Sequence, residues 1–453
     1  MSATASLWCE YALIGEGVQA GVTVDVLDGV TVEVLDGVIV SVTPGCARPA
    51  GAEVLAGLTM PGFANAHSHA FHRALRGRTH HGPGDFWTWR SEMYAVADLL
   101  NPDNYLALAT AVFTEMLQAG MTCVGEFHYV HHQPGGASYN DPNAMGLAII
   151  EAARQTGIRL TLLDTCYLQG GFGTELNPSQ QRFSDTSAQN WAERVALLAP
   201  GPDTRVGAAI HSVRAVPGAA IGEMAAFAGA RRMPLHAHVS EQPAENEQTF
   251  AATARTPTQL LASHGALTPQ FTAVHATHLT HDDIHLLAGA GATVCLCPTT
   301  ERDLADGIGP SLALAQAGVP LCSGSDQHSA IDPFEEMRAI ELNQRLATLR
   351  RGNHSVAELY AAGTRSGYAA LGWNGGELCI GALADLVTID THSVRLAGTR
   401  PNDWPAAVVF AAGPSDVRSV IVGGRTVVRD GRHVRLDAEA LLHQAISELS
   451  ANR

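Results

Sequence analysis

The sequence predicts a (β/α)8 barrel with a small discontinuous β-sandwich domain drawn from both termini. Three observations carry that expectation. Eight apolar, strand-like stretches recur through the middle of the chain, separated by polar loops and Ala/Leu-rich helical segments. Short β-rich pieces with turn signals stand at both ends. The 21 histidines crowd where the strand-like stretches end, as they would if one rim of a barrel carried chemistry.

Taken in order, residues 1–57 form the first part of the β domain. They read as Gly21-Val-Thr-Val-Asp-Val, Val30-Thr-Val-Glu-Val-Leu and Gly37-Val-Ile-Val-Ser-Val, with Asp28-Gly29 and Asp36-Gly37 as hairpin signals. The barrel spans 58–375. Its expected strand ends are Phe63–His69, Met121–Tyr129, Ile158–Cys166, Val206–Val213, Pro234–Glu241, Phe271–His278, Ala292–Thr299 and Pro320–His328. Helices are expected at Tyr105–Ala119, Ala144–Thr156, Ile221–Arg231 and Leu312–Ala317. Residues 376–453 return to the β pattern through Ala384-Asp-Leu-Val-Thr-Ile-Asp and the run from Val417, and end in a helix. The alternative for the two ends is a pair of separate edge hairpins. A doubly wound sheet is the competing fold for the middle, but no Gly-x-Gly-x-x-Gly follows the first strand.

Composition narrows the function classes. The 453 residues are 46% hydrophobic and 16% charged, ordinary for a globular protein. No apolar run approaches the roughly 20 residues that span a bilayer, and the N-terminus lacks the basic flank and apolar centre of a signal peptide. A cytoplasmic protein is expected. A formal charge of −16 argues against nucleic-acid and anionic-membrane partners. All 28 basic residues are arginine, so lysine Schiff bases and P-loop sites are excluded. Eight cysteines without a Cys-x-x-Cys pair exclude cysteine zinc clusters, and Cys295 and Cys297 read as core thiols on one strand face.

The chemistry begins at His67-Ser-His69. Positions two apart on a strand share a face, so both imidazoles can aim at one point. Alone, such a pair is more often structural than not. Partners arrive later: His236-Ala-His238-Val-Ser-Glu241 on the fifth unit, His275 on the sixth and Asp326 on the eighth. His67, His69, His238 and Asp326 would give three imidazoles and one carboxylate around a single divalent ion, an N/O set suited to Zn²⁺ or Fe²⁺.

This set resembles the amidohydrolase superfamily, with His-x-His on the first barrel strand, histidines on the fifth and sixth and aspartate on the eighth. The resemblance implies a metal-dependent hydrolase barrel with a flanking β domain. Binuclear members usually bridge two metals with a carboxylated lysine. With no lysine, and His211 ending the fourth unit, the resemblance implies one ion per subunit, Zn²⁺ first and Fe²⁺ second. It also implies Glu241 as proton shuttle, Asp326 as metal ligand and proton acceptor, and His275 beside the nucleophile. The segments His67-Ser-His-Ala-Phe-His-Arg, Phe86-Trp-Thr-Trp-Arg90, Gly125-Glu-Phe-His-Tyr129, His211-Ser-Val-Arg214, Cys297-Pro-Thr-Thr-Glu and Gly324-Ser-Asp-Gln-His are similar to those of the formimidoylglutamate deiminases within that superfamily. Those enzymes convert N-formimino-L-glutamate and water to N-formyl-L-glutamate and ammonia in histidine degradation, and the resemblance implies a homodimer.

A dianionic substrate approaching a net-negative protein needs local cations, and arginine forks bind carboxylates bidentately. Arg90 and Arg214 are the expected carboxylate binders, with His72, Tyr129 and His211 as neighbouring donors. His72 departs from the family pattern, which carries glutamine there, and leaves open a preference for a shorter formimino-amino acid. His80, His81, His128, His131 and His132 form a histidine-rich loop environment, expected to be solvated or supporting, with no assigned role. Rival readings are a deaminase of a purine, pterin or triazine ring, and a non-catalytic barrel.

Overall fold

The computed structural model describes residues 3–28, 37–80 and 86–451. The expected strand Val30–Leu35, much of the two Asp-Gly turns around it, and His81 lie outside these residues. Eight parallel strands pair in chain order: Phe63–Ser68, Met121–His128, Arg159–Cys166, Thr204–Ile210, Leu235–Val239, Phe271–His275, Thr293–Leu296 and Leu321–Ser323. Each overlaps a stretch expected from its apolar run, though most leave the ladder earlier than expected and the fourth begins two residues sooner, at Thr204. The residues trimmed, such as His69, Tyr129, Glu241 and Asp326, already belong to the loops at the rim.

The barrel closes at an isolated bridge between Ser68 and Asp326. There the Asp326 N–H donates to the His67 carbonyl at 3.0 Å, and the His69 N–H donates to the Asp326 carbonyl at 3.1 Å. Helices on the outer wall include Pro102–Gln118, Ala144–Thr156 and Gly218–Arg231. Pro102–Gln118 opens with an Asn101 cap and Ala144–Thr156 stops at Gly157, whose φ of 81° suits a residue without a side chain.

Both chain ends enter one further eight-stranded sheet rather than separate hairpins. Its centre is Glu53–Pro61, which pairs parallel with Ala3–Ile14 and antiparallel with Leu386–Ile389. Val417–Val422 continues the sheet on the C-terminal side and Gly17–Asp28 on the N-terminal side. The sheet is bolted to the base of the barrel. Arg159, at the start of the third barrel strand, grips Asp385 with two nitrogens at 2.8 and 3.0 Å, and the same carboxylate accepts from Tyr368 and from the Gly423 amide. A fully buried pair of this kind contributes only because every lone pair of the carboxylate finds a donor. The last helix, Ala438–Ala451, packs on Pro102–Gln118. Loops at the opposite end of the barrel are therefore free to build a site.

Candidate metal centre and substrate pocket

His67 stands one residue before the end of the first strand, and His69 follows just past it on the same face. His238 arrives from the fifth strand and Asp326 from just beyond the eighth. The Nε2 atoms of His67 and His69 lie 3.3 and 3.4 Å from one oxygen of Asp326. The Nε2 atoms of His67 and His238 lie 3.1 Å apart. His69 donates its Nδ1–H to the Phe127 carbonyl at 2.9 Å, and His238 donates its Nδ1–H to the His211 carbonyl at 2.8 Å. Those bonds fix the tautomers and leave both Nε2 lone pairs facing the centre. Burial lowers the pKa of all three imidazoles, which keeps them neutral. Burial alone would raise the Asp326 carboxyl, but contacts with His67, His275 and His69 overcome it and hold the group well below the usual range. Three neutral nitrogens and one carboxylate, all buried, converge as a divalent ion requires. His67, His69 and Asp326 thus form a set that could hold a metal ion.

His275 stands beside this set among carboxylates, with Nε2 3.8 Å from Asp326 and 3.7 Å from Glu241, and Nδ1 3.5 Å from Glu301. Burial would depress its pKa, but the three acids win and raise it. Burial pushes Glu241 upward toward neutrality, as a group exchanging protons near pH 7 requires. Strand ends here bend sharply: His275, Asp326 and Ser240 have φ of 67°, 44° and 52°. Non-glycine residues rarely adopt this conformation, and when held there by packing they mark sites where side chains are aimed rather than merely stacked.

A cavity opens above the centre, lined by His69, His72, Arg90, Tyr129, His211, Arg214, His238, Glu241, His275 and Asp326 among others. Of the expected site residues, only His67 does not reach it, lying directly beneath. Arg90 stands on the helix Phe86–Ala97 and donates from Nε to the Tyr94 hydroxyl at 2.6 Å and from Nη2 to the Tyr167 hydroxyl at 3.3 Å. Gln180 donates to both of those hydroxyls. The Arg214 Nε is buried and has no hydrogen-bond partner. Among the described residues neither arginine makes an ion pair. His72 is hydrogen-bonded through Nε2 to the Tyr129 hydroxyl at 2.9 Å, and burial lowers its pKa to about 3.

Sequence reasoning missed Glu301, Glu245, Asp306, Tyr94, Tyr167 and Gln180. Glu301 was within a quoted segment, Cys297-Pro-Thr-Thr-Glu301, but nothing in its spacing points at His275. His128, His131 and His132 are buried in the barrel wall rather than solvated, and His80 pairs with Asp303 at 2.6 Å. Cys295 and Cys297 are buried free thiols, as expected.

Residues 58–427 match the family model described as the amidohydrolase family. The chain is 39% identical to a formimidoylglutamate deiminase of Pseudomonas aeruginosa over 396 residues, covering 84% of this chain and 87% of that one. It is 29% identical to a 5-methylthioadenosine/S-adenosylhomocysteine deaminase of Halobacterium salinarum, covering 89% and 90%. Among solved structures, an amidohydrolase of Brucella melitensis superimposes with a TM-score of 0.88 at 31% identity, covering 98% of this chain and all of that one.

Proposed function

The chain belongs to the amidohydrolase family, a metal-dependent family of hydrolases, and from that premise we propose that it is a formimidoylglutamate deiminase acting in histidine degradation. The carrying observation is the pair of arginines, Arg90 and Arg214, that line the cavity and make no ion pair among the described residues. A substrate with two carboxylates would complete them. Glu241 and Asp326, which line the same cavity, suit a cationic formimino group.

In this reading His67, His69, His238 and Asp326 hold one Zn²⁺ per subunit, with Fe²⁺ as the other candidate, in a catalytic barrel spanning 58–375. The ion would supply a water made acidic enough to act as a nucleophile near neutral pH. Asp326 would take a proton from the attacking water as the water oxygen bonds to the formimino carbon. His275, cationic among its acids, balances charge at the tetrahedral centre. Glu241 carries a proton to the departing nitrogen, the carbon–nitrogen bond breaks, and ammonia leaves an N-formyl product whose new oxygen came from water. Arg90 and Arg214, aided by His72, Tyr129 and His211, hold the two carboxylates. We further read the protein as a cytoplasmic homodimer; no helix among the described residues is long and apolar enough to cross a membrane.

One observation favours a second reading. Trp89, Tyr94, Tyr129, Tyr167 and Phe183 line the same cavity and could stack a heterocycle, as an adenosine-type deaminase would need. Ammonia release from N-formimino-L-glutamate, N-formimino-L-aspartate, guanine and adenosine separates the two. The proposal expects kcat/KM for an acyclic formimino acid to exceed that for either ring by at least 100-fold; the reverse order overturns it. Glu241→Gln should keep its metal and lose about 10²–10⁴-fold in kcat. Unchanged turnover removes Glu241 from the mechanism.

A further inference from the structure

The stretch that carries His67 and His69 lies where backbone pairing is weakest. On one side, the register between the first and second strands is irregular from Asn65 to Ser68. On the other, among the described residues the first and eighth strands meet at the single Ser68–Asp326 bridge, and the eighth strand is three residues long. Past it, Asp326 and His328 both take left-handed φ, 44° and 59°. Gly324 passes so close that a Cβ there would stand 2.7 Å from the His67 carbonyl oxygen. Two segments bearing ligands are thus pressed together with little ladder to hold their register.

Side chains take over that task. With His67 and His69 facing the centre, Ser68 points the other way, toward Glu126 on the second strand. Glu126 accepts from the Ala70 amide at 2.6 Å and from the Ser68 hydroxyl at 2.5 Å. The Ser68 oxygen lies 3.1 Å from His328 Nε2, and His328 Nδ1 lies 2.9 Å from the Ser325 hydroxyl. Asn65 closes the chain, donating to the Ser325 hydroxyl at 2.6 Å and accepting from the Ser325 amide at 2.9 Å. All five side chains are buried. A consistent polarity exists: Asn65 donates to Ser325, Ser325 to His328, His328 to Ser68, and Ser68 to Glu126. The chain ends on the Glu126 carboxyl, which burial pushes up to about 8 although Ser68, the Ala70 amide and Tyr105 all hydrogen-bond to it.

Resting on the single-ion reading above, we infer that Glu126 is a positioning residue for the metal centre. Through Ser68, His328, Ser325 and Asn65 it holds the His67–His69 segment and the Asp326 segment in register across the barrel seam. It touches no ligand side chain and takes no part in the chemistry.

The test is metal affinity, measured by competition of the purified full-length apoprotein against a chromophoric chelator for Zn²⁺. Chemical unfolding of the apoproteins is followed in parallel. Supporting groups of this kind are worth about 10–100-fold in metal affinity. Glu126→Ala should raise the Zn²⁺ Kd by at least 10-fold. Glu126→Gln keeps an acceptor for the Ala70 amide and a polar group of the same size against Ser68, and should raise Kd less than Glu126→Ala does. Ser68→Ala, which cuts the chain while leaving Glu126 in place, should follow Glu126→Ala. A merely structural role would lower apoprotein stability and leave Kd alone. Kd within threefold of the parent in Glu126→Ala overturns the inference; if that variant does not fold, an unchanged Kd in Ser68→Ala does so. A parent protein that binds no equivalent of Zn²⁺ overturns the single-ion reading, and this inference with it.

Discussion

Two arginines, the buried Arg194 and the half-buried Arg214, occupy opposite situations within one barrel. Arg194 sits in the wall between the third strand and the helix Ala188–Val195, where five hydrogen bonds take up its donors. It bonds Asp164 at 2.7 and 2.9 Å, Asp185 at 2.8 and 2.9 Å, and Asn143 at 3.0 Å. Trp191 and His132 saturate the remaining edges of the two carboxylates. Arg214, at the rim, keeps a buried Nε with no partner at all. An unmet buried donor costs about 1–3 kcal/mol, a penalty a fold has reason to carry only where a ligand will remove it. On the proposed function, arginine pairing therefore separates the part of the molecule that holds the fold from the part that receives substrate.

The sharpest way to break that contrast is to exchange each arginine for methionine. Arg194→Met would strand two buried carboxylates, and loss of one member of a buried ionic group costs about 3–5 kcal/mol. Chemical denaturation should show that loss, with KM of whatever protein remains folded little changed. Arg214→Met should do the opposite. Removing a charge-assisted contact worth about 1.5–3 kcal/mol predicts a KM for N-formimino-L-glutamate raised by about 10–150-fold, with metal content and denaturation midpoint preserved. A KM within twofold of the parent would assign Arg214 to the structural class instead.

The contrast also explains what could be read from the chain. The strand stretches and their rim residues were legible because apolar runs and alternation depend only on near neighbours, so His67, His69, His238, His275 and Asp326 could be placed on strand ends and thence together. Arg214 was legible by its position at the end of the fourth unit. Nothing comparable marks Arg194, whose partner Asp164 lies 30 residues away and meets it only when a helix packs on the wall. The same holds for Glu301 on His275, and for Tyr94 and Gln180, 86 residues apart, around Arg90. Glu126 lay inside a quoted segment, yet its role follows from a ladder irregularity that no residue pattern announces.

Acid reaches the wall carboxylates after the buried histidines, whose lowered pKa values already cost stability as pH falls below about 6.5. Burial alone would raise the carboxyls of Asp164 and Asp185, but Arg194, with the histidines beside it, reverses that and lowers both. A depressed folded pKa stabilises above the unfolded value, near 3.9 for aspartate, and that stability is lost as pH falls through the folded value. Each unit of depression is worth about 1.4 kcal/mol. The denaturation midpoint should therefore respond to these groups only below about pH 4, and Asp164→Asn should flatten that limb while lowering stability at pH 7. An unaltered acid limb in Asp164→Asn would mean that the wall cluster does not control it.

The smallest expected effect lies at His72, where the rim departs from the glutamine of the family pattern. Its ring is neutral, because burial lowers its pKa to about 3, and Nε2 is engaged with Tyr129 while Nδ1 is buried without a partner. Like Arg214, it carries an unmet valence toward the cavity, but an uncharged one. A neutral hydrogen bond is worth about 0.5–1.5 kcal/mol, or roughly 2–10-fold. His72→Gln should accordingly shift the ratio of kcat/KM for N-formimino-L-glutamate over N-formimino-L-aspartate by about that factor, toward the longer acid, since the amide reaches differently from the ring. Metal content should not change, because His72 meets the centre only through ring contact with His69. A ratio constant within measurement, with both rates reduced equally, would show that this position supports the pocket wall and does not read substrate length.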